Sequence, residues 1–139
     1  MPSTLPEMFE AGTLNTQNAR GLCEAIDYLE NAGIESITKY ESFLSGRLRE
    51  VLSSHAVLKT HGDYCEGGVY SVTCDTLSTE KFASLLDEHG IMVRAGLHCA
   101  PLAHKKLGTL KTGTVRFSLG IFNTISDIEY LDHVLNQIL

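Results

Sequence analysis

The sequence predicts an α+β fold, one sheet of few strands with helices packed against it. Apolar residues recur at three-and-four spacing in four stretches. Between these stretches the period falls to two, with β-branched and aromatic residues alternating with polar ones. Gly, Pro and N-cap residues stand where one pattern gives way to the next. The pattern leaves the strand order open.

Residues 1–15 lack helical periodicity and carry Pro2, Pro6 and Gly12, which predicts an extended start. From Thr16, the stripe Leu22, Ala25, Ile26, Leu29, Ala32 predicts a helix, and Gly33 is placed to end it. A second helix is expected over 37–52, burying Leu44, Leu48 and Leu52 and leaving Ser45 to Arg49 at least partly exposed. Residues 56–60 read as a short strand, 61–68 as a polar Gly-rich loop, and 69–74 as a stronger strand. Ser78 or Thr79 is the expected N-cap of a helix carrying Phe82, Leu85 and Leu86 and stopping at Gly90. Residues 91–94 read as a strand, 101–107 as a short helix, and 114–119 as the last strand. Asn123 to Asp127 caps a closing helix whose buried stripe is Ile128, Leu131, Val134, Leu135 and Ile138.

Length and charge narrow the function. A chain of 139 residues can bury a full core, and 43% hydrophobic with 20% charged residues is ordinary for a globular protein. A net charge of −6 argues against nucleic acid and anionic membrane surfaces as partners. No apolar run approaches the roughly 20 residues of a membrane span, and the start has no signal-peptide pattern. The four cysteines, Cys23, Cys65, Cys74 and Cys99, form no CxxC pair and no disulfide framework, which fits a reducing, cytoplasmic setting.

The chemistry concentrates in residues 93–109, where Cys99 stands among Arg94, His98, His104, Lys105 and Lys106. A thiol attacks as thiolate, and neighbouring cations stabilise that form. Gly96 and Pro101 punctuate a loop, so Cys99 is expected to be exposed. A free cysteine packed as a small hydrophobe is the common alternative, but these flanks are too polar to bury cheaply.

Three segments carry a resemblance: Arg94-Ala95-Gly96-Leu97-His98-Cys99-Ala100-Pro101, Phe9 to Thr16 with its Glu-Ala-Gly-Thr, and Gly113 to Thr124. Together they resemble the cysteine desulfurases of the class V aminotransferase family, with the motifs in order over nearly the whole chain. The resemblance implies the C-terminal small domain of a fold-type I pyridoxal phosphate enzyme over 21–139, preceded by a remnant of the large domain over 1–20. It implies a homodimer in the full-length form, L-cysteine as substrate, pyridoxal phosphate as cofactor and a sulfur-acceptor protein as partner. Residue by residue, Cys99 matches the nucleophile that takes sulfur as a persulfide and releases alanine. Arg116 matches the arginine that binds the substrate carboxylate, for which a planar guanidinium is suited. Arg94 and His98 match the loop's cationic and imidazole positions, with proton transfer or loop anchoring open to His98. Gly12 and Thr13 match the segment reaching the partner's cofactor phosphate. Leu14 departs from the family's usual proline, and Gln17 to Arg20 are less Gly-rich than is common there.

None of the six lysines, Lys39, Lys59, Lys81, Lys105, Lys106 and Lys111, lies in a context like the family's cofactor lysine. The expectation is therefore a C-terminal fragment, inactive alone. A selenocysteine lyase or another class V aminotransferase is a close variant, although a plain aminotransferase needs no thiol. A stand-alone sulfur relay or interaction module is the alternative from another class. Cys65 and Cys74 with His61 match no zinc spacing, so no metal site is expected. Cys23 is read as core or interface, Cys74 as strand core, and His55, His89 and His133 as surface or helix-end residues without an acid–base partner in sequence.

Overall fold

The computed structural model describes residues 3–9, 12–62 and 67–139. The chain divides between Ser36 and Ile37 into two units. In the first, the start is less extended than expected, because Glu7–Phe9 forms a single 3-10 turn. Pro6 pre-sets φ for such a turn, and Phe9 N–H donates to the Pro6 carbonyl at 3.0 Å. Glu10 and Ala11 of the quoted Phe9 to Thr16 segment lie outside the described residues.

Helix α1 (Thr16–Ala32) begins at Asn15, whose side chain accepts from Asn18 N–H at 3.2 Å. It ends where expected, at Gly33, whose φ of 80° is left-handed. Its apolar stripe is uncovered, with Leu22, Ile26 and Leu29 at 63%, 46% and 37% exposure. Cys23 is likewise exposed rather than in a core.

Helix α2 (Ile34–Ser54) is longer than the apolar pattern alone indicated. Leu44, Leu48 and Leu52 are buried as expected. Ser45 corrects the expectation of exposure: it is fully buried. Tyr70 supplies the reason, with its hydroxyl 2.9 Å from Ser45 Oγ and donating to the Ser45 carbonyl at 3.2 Å. A polar side chain can enter a core when its hydrogen bonds come with it.

The described residues of the second unit form a four-stranded antiparallel sheet of β1 (Leu58–His61), β2 (Val69–Cys74), β3 (Arg94–Gly96) and β4 (Thr114–Ser118). Its order is β1-β2-β4-β3. Helix α3 (Thr79–Glu88) joins β2 to β3, α4 (Pro101–Leu107) precedes β4, and α5 (Ile125–Ile138) closes the chain. Strand β3 begins at Arg94, three residues later than the apolar run at Ile91 suggested. Ile91 and Val93 are half-buried against the core. Ladder pairing, which defines a strand, starts only where Arg94 meets Arg116.

One core joins the elements: Leu44, Leu48 and Leu52 from α2, Phe82 and Leu86 from α3, and Ile128, Leu131, Val134 and Leu135 from α5. These pack on Tyr70, Val72, Val115 and Phe117 of the sheet. Each such side chain contributes about 1.5–3 kcal/mol on burial. Ser78 caps α3 by accepting from Lys81 N–H at 3.2 Å. Thr124 and Asp127 form a reciprocal capping box on α5.

The turn into β4 needs glycine for two reasons. Gly113 has φ of 64°, and a Cβ there would lie 2.9 Å from the Gly96 backbone. Gly113→Ala is therefore expected to destabilise the natural protein by about 1–3 kcal/mol. Gly46→Ala, in the open middle of α2 with nothing within 4 Å of the new methyl, is expected to stabilise by about 0.5–1 kcal/mol. Urea denaturation of both variants checks the pair.

Candidate active site

The sheet has an apolar face and a polar face, and the register assigns each side chain to one of them. His61 pairs with Ser71, Ser71 with Arg116, and Arg116 with Arg94. Directly opposed residues in a sheet share a face, so these four form one lateral row. The adjacent row runs Thr60, Val72, Val115, Ala95 and points the other way, where Val72 and Val115 are buried. Thr73 and Thr114, two residues from Ser71 and Arg116, return to the polar face.

The cysteine loop leaves this face at Gly96. His98 and Cys99 have φ of 51° and 59°, two consecutive non-glycine residues in the left-handed region. Each such conformation costs about 1–3 kcal/mol and persists only where its surroundings hold it. The holding contacts are local. Ala100 N–H donates to the Leu97 carbonyl at 2.8 Å, and His104 N–H to the Ala100 carbonyl at 3.2 Å. His98 Nε2 lies 3.1 Å from Thr114 Oγ1 on β4. Pro101 opens α4 and Gly108, with φ of 74°, ends it. Cys99 is exposed on this loop, as the sequence suggested.

The electrostatics of this face are one-sided. Burial first, then the positive charges of Arg116, His104 and Arg94, hold the His98 imidazole below the usual 6.5, against an upward pull from a hydrogen bond to the Thr114 backbone. His61 is also lowered, by burial, Lys59 and His104. Among the described residues no carboxylate forms an ion pair with Arg94 or Arg116. Arg116 Nε and His98 Nδ1 are buried without a hydrogen-bond partner among the described residues. A buried donor or acceptor without a partner costs free energy, so these two atoms mark Arg116 and His98 as the polar groups of this face that the described fold leaves unsatisfied.

Of the residues singled out from sequence, Cys99, His98, Arg94 and Arg116 all lie on this sheet face or the loop leaving it. Gly12 and Thr13 belong to the first unit; both are exposed, and Gly12 has φ of 94° with open space around it. Thr73 and Thr114 were not singled out, and His61 was weighed only with Cys65 and Cys74 as a metal site; Thr114, itself buried, is readable as the residue beside Val115 on the other face of β4. His55 does have an acidic partner, Asp132, at 3.1 Å. That pair is 77 positions apart, which is why local sequence misses it. Cys74 is half-buried with Sγ 3.2 Å from Thr76 Oγ1, and Cys65 lies outside the described residues. Among the described residues no three His, Cys, Asp or Glu side chains are placed to hold a metal. No helix there is long and apolar enough to cross a membrane.

Comparison with known proteins places the chain in a family and matches its fold. The family described as Aminotransferase class-V matches residues 2–131. The chain belongs to the class V aminotransferase family. It is 39% identical over 140 residues to a probable cysteine desulfurase of Pyrococcus abyssi, covering 96% of this chain and 33% of that protein. A probable cysteine desulfurase of Methanothermobacter thermautotrophicus is 38% identical, covering 96% and 34%. The apo structure of cysteine desulfurase from Thermococcus onnurineus NA1 superposes with a TM-score of 0.86 at 37% identity, covering 96% of this chain and 33% of that one. The cysteine desulfurase CsdA of Escherichia coli, in an S-sulfonic acid form, gives 0.86 at 26% identity, covering 99% and 34%. The chain thus spans about a third of the length of these relatives.

The two lowered histidines make stability depend on pH. Both bind protons more readily when unfolded, so stability is full above the unfolded value of 6.5 and falls as pH drops toward the folded ones. The melting temperature is expected to be lower at pH 5.5 than at pH 7.5, with the difference reduced in His61→Gln. Thermal unfolding followed by circular dichroism checks this.

Proposed function

We propose that this chain is the C-terminal part of a pyridoxal phosphate-dependent cysteine desulfurase, with residues 1–20 a remnant of the large domain and 21–139 the small domain. The observation that carries the proposal is the exposed Cys99 on a left-handed loop beside a row that holds Arg94 and Arg116. The lengths of the curated relatives, about three times this chain, support a part rather than a whole.

Arg116 holds the carboxylate of L-cysteine through parallel N–H donors, and Arg94 beside it raises the local positive potential. Pyridoxal phosphate, when bound, supplies an electron sink at the substrate Cα. Cys99 attacks the substrate sulfur as thiolate. The new S–S bond forms as the substrate C–S bond breaks, the bonding pair stays with carbon, and a proton completes alanine. His98, whose pKa is lowered so that the neutral form prevails at pH 7, is suited to accept or return a proton. Cys99 then carries the persulfide to a sulfur-acceptor protein. Its place on a surface loop gives an acceptor thiol access to the outer sulfur.

The residues present fit the edge of the cofactor site rather than its anchor. Gly12 and Thr13 offer an exposed amide and hydroxyl for the phosphate of a partner protomer in a homodimer. The anchoring lysine belongs upstream of this chain. Free thiols at Cys23, Cys74 and Cys99 support a reducing, cytoplasmic setting.

In the full-length protein, Cys99→Ala is expected to abolish alanine formation from cysteine while the visible absorbance of bound cofactor is kept. Arg116→Lys is expected to raise KM for cysteine roughly 10- to 100-fold, the loss of one parallel hydrogen bond to a carboxylate. Alanine release in the Cys99→Ala variant would move the nucleophile elsewhere. A natural protein of this length without the absorbance would favour a sulfur relay.

A further inference from the structure

His104 lies behind the cysteine loop and does not belong to the row that faces a substrate. Its side chain is 4% exposed, on the last turn of α4. Nδ1 is 2.8 Å from Oγ1 of Thr109, itself 4% exposed. The His104 ring stands against that of His98, with centroids 5.8 Å apart and planes tilted by 41°. His98 is thus held at two points, by Thr114 Oγ1 at Nε2 and by the His104 ring on its side. Neither contact is to Cys99, yet Cys99 is the next residue and shares the left-handed backbone.

We propose that His104, tethered by Thr109, is a positioning residue for the cysteine loop, backing the His98 imidazole and so holding the strained His98–Cys99 backbone in one conformation. Two consecutive left-handed residues stay in place only if their surroundings over-determine them. A buried ring fixed by its own hydrogen bond provides such a surround. The arrangement has an electrostatic side as well. Among the described residues, the groups facing His98 are Arg94 from β3, Thr114 and Arg116 from β4, and His104 from α4; His61 of β1 faces His104 in turn. All are cationic or neutral, so a charge on His104 opposes a charge on His98 and on His61.

The inference rests on the desulfurase reading only for its kinetic part, and the test separates the two. The natural full-length protein, labelled with 13C at histidine Cε1, is titrated by NMR as wild type, His104→Phe and Thr109→Val. Phenylalanine keeps a ring beside His98 and removes both the charge and the tether. In His104→Phe, the midpoints of His98 and His61 are expected to rise toward the ordinary value, while those of His55, His89 and His133 stay. In Thr109→Val the His98 resonance is expected to broaden or split as the loop samples other conformers. Cysteine turnover by either variant is expected to fall roughly 10- to 100-fold in kcat with KM nearly unchanged, the signature of a misplaced group rather than lost binding. A single unbroadened His98 resonance in Thr109→Val, with kcat unchanged in both variants, overturns the proposal. So does a common shift of all histidines to the random-coil value, which marks a purely structural residue. A wild type that makes no alanine refutes the desulfurase reading, while the NMR comparison still decides the role of His104.

Discussion

The two-residue period of β4 binds the core to the candidate site. Val115 and Phe117 pack among Phe82, Leu86 and the leucines of α2 and α5, and that burial fixes the rotation of the strand. Thr114 and Arg116 have no choice of side once their neighbours are buried. A slip of one residue would bury a guanidinium and expose two large apolar side chains, a loss of several kcal/mol. The site is therefore aligned by hydrophobic packing on the far side of the sheet. The pairs Arg116 with Ser71 and with Arg94 extend the same constraint to β2 and β3.

The loop is governed by different physics. Packing does not force His98 and Cys99 into the left-handed region; turn hydrogen bonds and the imidazole contacts to Thr114 and His104 do so. Such contacts are few and directional, so the loop is held more weakly than the strand that aligns Arg116. On the function proposed above, the combination would suit a thiol that meets a substrate on one side and an acceptor on the other, above an arginine that stays still.

Much of this was legible in the sequence, because capping and periodicity are local. The Ser78 cap, the Thr124–Asp127 box, the β2 boundaries and the helix from Pro101 to Leu107 all follow from residues within a few positions of each other. The exposed cysteine was legible through its polar flanks. What escaped depends on through-space partners: the burial of Ser45 under Tyr70, the late start of β3 and the pairing of His55 with Asp132. The polar row was half legible. Arg116 stood out through its flanking motif, but His61 joins it only through the β1–β2 register, which no local pattern specifies.

The uncovered stripe of α1 has a consequence for handling. Leu22, Ile26 and Leu29 present an apolar strip to water, and the net charge of −6 keeps copies of the chain apart at neutral pH. Near the isoelectric point of about 5.4 that repulsion vanishes, so the strip is left to govern colloidal behaviour. Buffers on the alkaline side of neutrality and of low ionic strength are the ones in which this polypeptide stays dispersed.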